Sequence, residues 1–203
     1  MKKLFMLTAL AASFSFATSE PHVHDGFFLN FAMGMGYQSM DYTTYNYDED
    51  TYGHSGLATD IDVKLGCSVT DMVAVHITLT GDTPTESVGE GRDDNEVKAN
   101  LSLLGIGTTL YFPGNYLASA SLGIGQFRVY DDISTFHARV VSNPDTYSRS
   151  GFAFQIAAGK EWWVSDNWGI GATAALLYGF ETNLADARES SLSISLRFSA
   201  TYN

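Results

Sequence analysis

Leu192-Ser193-Ile194-Ser195-Leu196-Arg197-Phe198-Ser199-Ala200-Thr201-Tyr202 alternates without a break: each even position is apolar, and each odd position is Ser, Arg or Thr. A period of two is a strand reading, because successive side chains of a strand leave on opposite faces. The same template fits the other end of the chain. Phe27, Leu29, Phe31, Met33, Met35 and Tyr37 alternate there with Asn30, Ala32, Gly34, Gly36 and Gln38. In the next segment Leu57, Ile61, Val63, Leu65, Cys67 and Val69 oppose Asp60, Asp62, Lys64, Gly66 and Ser68. Carried along the chain, the pattern predicts eight strands, at about 27–38, 57–69, 73–80, 96–112, 116–130, 151–163, 168–180 and 192–202. In the fourth, two neighbouring leucines, Leu103 and Leu104, are read as a parity shift at a β-bulge.

The connections alternate in length. Thr70-Asp71, Pro113-Gly114-Asn115 and Val164 to Asn167 are tight turns, whereas 39–55, 81–95, 131–150 and 181–190 are long and polar. Short turns at one end and long loops at the other suit an up-and-down barrel. Composition narrows the class further. Only 17% of the 203 residues are charged, against about 25% in soluble domains, while Gly reaches 19 and aromatics 13%. With 11 Lys+Arg against 23 Asp+Glu, net charge −12, there is no basic stripe for nucleic acid. A single cysteine, Cys67, excludes an internal disulfide and any cysteine-based zinc site. At the N-terminus, Met1-Lys2-Lys3, the apolar run Leu4 to Phe16 and the small residues Ala17, Thr18 and Ser19 read as a signal peptide over 1–19. Cleavage after 17 or 19 leaves residues 20–203 as one domain.

Alternation alone does not say which face looks outward. The polar face is built of small residues, with Gly34, Gly36, Gly105, Gly107, Gly123, Gly125, Gly169 and Gly171 on it. The cramped axis of an eight-stranded barrel has room for little else. The opposite face is bulky and nearly uncharged, which suits hydrocarbon. Aromatics fall at two heights, as interfacial belts do. Phe27, Phe28, Tyr111, Phe112, Tyr116, Trp162, Trp163, Trp168 and Tyr202 lie low; Tyr37, Tyr130, Phe152, Phe154, Tyr178 and Phe180 lie high. The expected fold is all-β: a closed antiparallel eight-stranded transmembrane barrel with short periplasmic turns and longer external loops.

Two stretches carry a family resemblance. Gly159-Lys-Glu-Trp-Trp-Val-Ser-Asp-Asn-Trp-Gly-Ile-Gly171 resembles the strand-turn-strand unit of small outer-membrane barrels, and the last strand, with Tyr202 before Asn203, resembles their terminal insertion signal. The chain from 26 to 203 is similar to the group that includes OmpX, OmpW and the OmpA transmembrane domain. The resemblance implies residence in the bacterial outer membrane, contact with its lipids and lipopolysaccharide, and insertion by the outer-membrane assembly machinery.

Asp60, Asp62, Lys64, His76, Gln155, Glu161 and Arg197 share the inward parity. Buried charges must pair, so Asp60 or Asp62 is expected to reach Arg197 in a network that plugs the lumen. No cofactor or metal is expected. His22, His24 and Asp25 offer too few ligands for a secure site; Asp48-Glu49-Asp50 fails the EF-hand template at Tyr52 and Thr59; the paired glycines never continue as GxGxxG. His76 with Thr78 shows no nucleophile, base and orienter spacing. Acidic Asp93-Asp94-Asn95-Glu96 and the Tyr-rich stretch Tyr42, Tyr45, Tyr47 and Tyr52 belong to external loops that could meet a surface ligand. The functional expectation is a structural or surface-interaction component without catalysis; the alternative is a narrow or gated conduit for ions or small hydrophobic molecules.

Overall fold

The computed structural model describes residues 22–46, 48–85, 97–131, 147–182 and 188–203; the expected signal peptide lies outside them. Eight strands follow one another: β1 (Gly26–Asn46), β2 (Asp48–Thr70), β3 (Val73–Pro84), β4 (Val97–Phe112), β5 (Tyr116–Asp131), β6 (Tyr147–Trp163), β7 (Trp168–Thr182) and β8 (Arg188–Tyr202). Each pairs antiparallel with its neighbours in sequence, and β1 pairs with β8, closing the barrel. Closure is what lets such a sheet sit in hydrocarbon, where every unpaired N–H or C=O costs several kcal/mol.

Outward positions are greasy and exposed, Ile106, Leu196 and Phe198 among the most so. Inward positions are buried, and glycines bring facing strands together there. Gly105 of β4 stands opposite Gly123 of β5, and a Cβ on Gly123 would collide with the Leu104 carbonyl and Gly105 Cα. At the Pro113-Gly114-Asn115 turn, Gly114 and Asn115 take φ of 82° and 57°. These are left-handed values, which Gly and Asn tolerate best.

Two expectations need correction. The β4 bulge is absent: β4 keeps a continuous register with both neighbours, and Leu101 and Leu103 point inward like Gly105 and Gly107. The register shift among these pairings is in β2–β3, between Ser68 and Thr70. Secondly, the strands outrun their expected ends. The β1–β2 ladder continues to Asn46↔Asp48, absorbing most of the stretch 39–55 read as loop. Tyr42, Tyr45 and Tyr52 stand on that ladder; Tyr47 and the acidic run 93–96 lie outside the described residues.

Inside the barrel, two apolar clusters sit at different heights. Met40, Leu101, Leu103, Phe127, Ala153 and Leu177 pack toward the loop end, and Phe28, Ala74, Tyr111 and Leu117 toward the turn end. Polar residues occupy the space between and share both heights, Asp82 beside Leu101 and Glu161 near Tyr111.

Gly123→Val should lower stability by about 1 to 3 kcal/mol through overpacking, measured as a shifted urea midpoint in lipid vesicles. Ile124→Val, one residue on but facing outward, should leave the midpoint nearly unchanged.

Candidate functional site: the charged lumen

Because side chains on one strand face share parity, β2 aims Asp60, Asp62 and Lys64 at the axis and β8 aims Ser195 and Arg197 at them. The Arg197 guanidinium donates through Nη1 to Asp62 Oδ2 and through Nη2 to Asp60 Oδ2, each at 2.5 Å. Its Nε reaches Ser195 Oγ at 3.3 Å, and that hydroxyl donates to Asp60 Oδ2 at 2.9 Å. Lys64 Nζ donates to Asp62 Oδ2 as well. Gln155 of β6 donates to Asp62 Oδ2 and Thr80 Oγ1, both at 3.1 Å. Two carboxylates therefore face two cations, Arg197 and both aspartates having side chains only 1% exposed. Balanced charge, with the two arms of one guanidinium each bonded to a separate carboxylate, is an arrangement in which buried ions tolerate loss of water.

His76 stands beside this network rather than in it. Its Nδ1 lies 2.9 Å from Thr78 Oγ1 and its Nε2 3.0 Å from Thr109 Oγ1, so both nitrogens are occupied by hydroxyls. Thr78 continues to Ser121 at 2.7 Å and Thr109 to Ser119 at 3.1 Å. Glu161 lies nearer the turn end, accepting from Thr201 at 2.5 Å, while Asn30 donates to Thr201 at 2.7 Å. A cavity of about 20 Å³, lined in part by Asp62, Lys64, Tyr111 and Glu161, separates the two groups; it has room for about one water.

Sequence reasoning passed over several members. Thr80 and Ser195 join the ion network, and Asp82 anchors a second polar cluster higher up, accepting from Gln38 Nε2 and the Leu101 amide at 3.0 Å. Their inward parity was the available signal. Nothing in the alternation marked which inward residues meet across the lumen.

Of the residues assigned to the aromatic belts, Phe112, Tyr116, Trp162, Trp168 and Tyr202 face out at the turn end, with the Tyr202 ring edge-on to Trp168 at 5.4 Å. Tyr37, Tyr178 and Phe180 face out at the loop end. Phe28, Tyr111 and Trp163 do not belong there, for they carry the inward parity. Phe28 and Tyr111 are buried in the lower cluster, and Trp163 turns to the mouth, its ring 5.0 Å from that of His24. Tyr111 serves as a floor for the same histidine, stacked at 3.4 Å.

His24 thus closes the turn end. The segment is held by the His22 amide donating to the Asp166 carbonyl at 3.0 Å. Among the described residues, no group of three or more His, Cys, Asp or Glu is placed to hold a metal ion. Burial holds the His24 imidazole below its ordinary value of 6.5, outweighing the weaker opposing pull of Asn203, Asn115 and Asp71.

No family model matches the chain, and no curated protein matches it. Among solved structures it is similar to the outer membrane protease OmpT from Escherichia coli, 9% identical over 87% of this chain and 98% of that one, TM-score 0.50. OprG from Pseudomonas aeruginosa is 10% identical over 91% and 99%, TM-score 0.49. Neisserial surface protein A is 11% identical over 84% and 95%, TM-score 0.48. The fold is that of a bacterial outer-membrane β-barrel. At these identities the likeness concerns architecture alone.

Two outcomes are expected. Arg197→Met should destabilise the barrel by about 3 to 5 kcal/mol, because it leaves a buried carboxylate uncompensated. Arg197→Met with Asp60→Asn, which keeps Asp62 for Lys64, should recover most of that loss in the same unfolding assay. For His24, the released segment binds a proton that the docked one resists, so docking is strongest above pH 6.5 and weakens as pH falls below it. Tryptophan emission should report this as an acid-side step that His24→Phe removes.

Proposed function

We propose that this chain is a non-catalytic structural and surface-presenting component of the outer membrane, with a lumen that does not conduct. The observation that carries this reading is the stack inside the barrel. A neutral, hydrogen-bonded ion network lies between one apolar cluster facing the loops and another facing the turns, and His24 is seated at the lower mouth. An ion on such a path would have to shed its water among buried apolar side chains and polar groups that are already hydrogen-bonded, which burial disfavours.

The presenting role is supported by the β1–β2 hairpin, the tallest among the described residues. β1 and β2 run 21 and 23 residues against 15 for β7 and β8. Beyond Tyr37 in the belt, the ladder continues for nine residues to Asn46, roughly 30 Å of strand, long enough to carry the hairpin's backbone clear of the lipid surface. Its partners are then lipopolysaccharide, with cations bridging acidic loops to its phosphates, and a surface ligand met through the loops; the outer-membrane assembly machinery inserts the barrel. Non-catalysis is supported by His76, whose two nitrogens both meet buried threonine hydroxyls away from any open cleft.

Single-channel recording in planar bilayers tests the reading. The wild-type barrel and Asp62→Asn should be silent, and Arg197→Ala should show at most brief, irregular events. Steady unitary conductance from the wild type, altered by either substitution, would overturn the sealed lumen and establish the conduit in its place.

A further inference from the structure

The outward face is bulky nearly everywhere except across β5, β6 and β7. There Ala118, Ala158 and Ala174 are direct cross-strand partners, so three methyl groups form one row spanning three strands. Leu110 walls this row on one side, and Ile156 and Leu176 stand above it. The result is an apolar hollow of about 520 Å³ open to the lipid side.

The next outward row toward the turn end holds Lys160, the partner of Tyr116 and Ala172. Its Nζ sits 4.5 Å from the centre of the Tyr116 ring and 5.9 Å from that of Trp162. Among the described residues it is the one Lys or Arg of outward parity at this end of the barrel. Aromatic belts mark headgroup depth, and a lysine there keeps its stem on apolar surface with its ammonium at the polar level. Two residues along a strand is roughly 7 Å, so cation and hollow are separated by about the distance from a headgroup to the start of its chain.

We propose that this face holds one phospholipid of the periplasmic leaflet, an acyl chain lying in the alanine hollow and its phosphate on the Lys160 ammonium. Each half contributes what the other lacks. The hollow offers dispersion contacts that a bulky neighbouring surface does not concentrate, and the ammonium offers a charge-assisted hydrogen bond to a phosphate oxygen. The lysine is already held against two rings, so little of its freedom is lost when the phosphate arrives. The proposal rests on the barrel being embedded in the membrane.

Barrels reconstituted in phosphatidylethanolamine–phosphatidylglycerol vesicles, extracted into detergent and weighed intact by native mass spectrometry would show the retained lipid. The wild type should carry one phospholipid. Ala158→Leu with Ala174→Leu, which fills the hollow, and Lys160→Gln, which removes the charge, should each lower occupancy on the order of tenfold. Lys160→Arg should retain the lipid, and Val63→Leu on the opposite face should change nothing. Equal retention by all variants would refute the site, as would a second copy of the chain crosslinked over the alanines. Heat-dependent gel migration checks each variant's barrel separately; a chain that never enters the vesicles refutes the membrane reading itself.

Discussion

Everything in this molecule depends on a ring of backbone hydrogen bonds that has no loose edge. In water an open sheet can turn its unpaired amides to solvent; in hydrocarbon it cannot, and the β1–β8 seam is therefore as obligatory as any hairpin. Once the ring has only eight strands, the interior is too narrow for bulky chains on every strand at one height. Glycines at Gly34, Gly105 and Gly123 press against neighbouring backbone, and the remaining volume is divided among a few large residues that have to meet one another.

That division explains why the lumen is layered. Among the described residues Arg197 is the largest fully buried side chain, and a guanidinium can be held away from water only where carboxylates are close enough to satisfy its fork. Asp60 and Asp62, two residues apart on one strand, present that surface. Above and below them leucine and aromatic side chains enter the lumen, with Asp82 bonded to the Leu101 amide at the upper level and Glu161 near Tyr111 at the lower one. The same parity rule thus produces three different environments, according to which residues share a height around the ring.

Outside Leu103-Leu104, parity was legible in the sequence; which inward residues meet at one height was less so. The alternation from Leu192 to Tyr202 discloses strand, face and barrel class, and it assigns Asp60, Asp62 and Arg197 to the interior. It misled at Leu103-Leu104, where two adjacent apolar residues suggested a bulge. An inward leucine is acceptable near the end of the lumen because it packs on Phe127 and Leu177. Tyr111, Trp163 and Phe28 were misread as belt residues for a related reason: height was judged from position in the chain, while their parity already pointed inward. Strand lengths were read short since the upper parts of β1 and β2 are rich in Tyr, Thr and Asp, a composition shared by loops and by strands standing above the lipid.

The seam between first and last strands has a consequence for how the chain reaches its native state. Asn30 and Thr201, joined inside the barrel, are 171 positions apart, and β1 finds its second neighbour only when β8 arrives. Contacts of such high sequence separation form slowly, since most of the polymer must be reeled in first. Until then both terminal strands expose sticky margins of the kind that invite pairing with another molecule. The polypeptide is thus most vulnerable in the interval between export and the docking of its own far end.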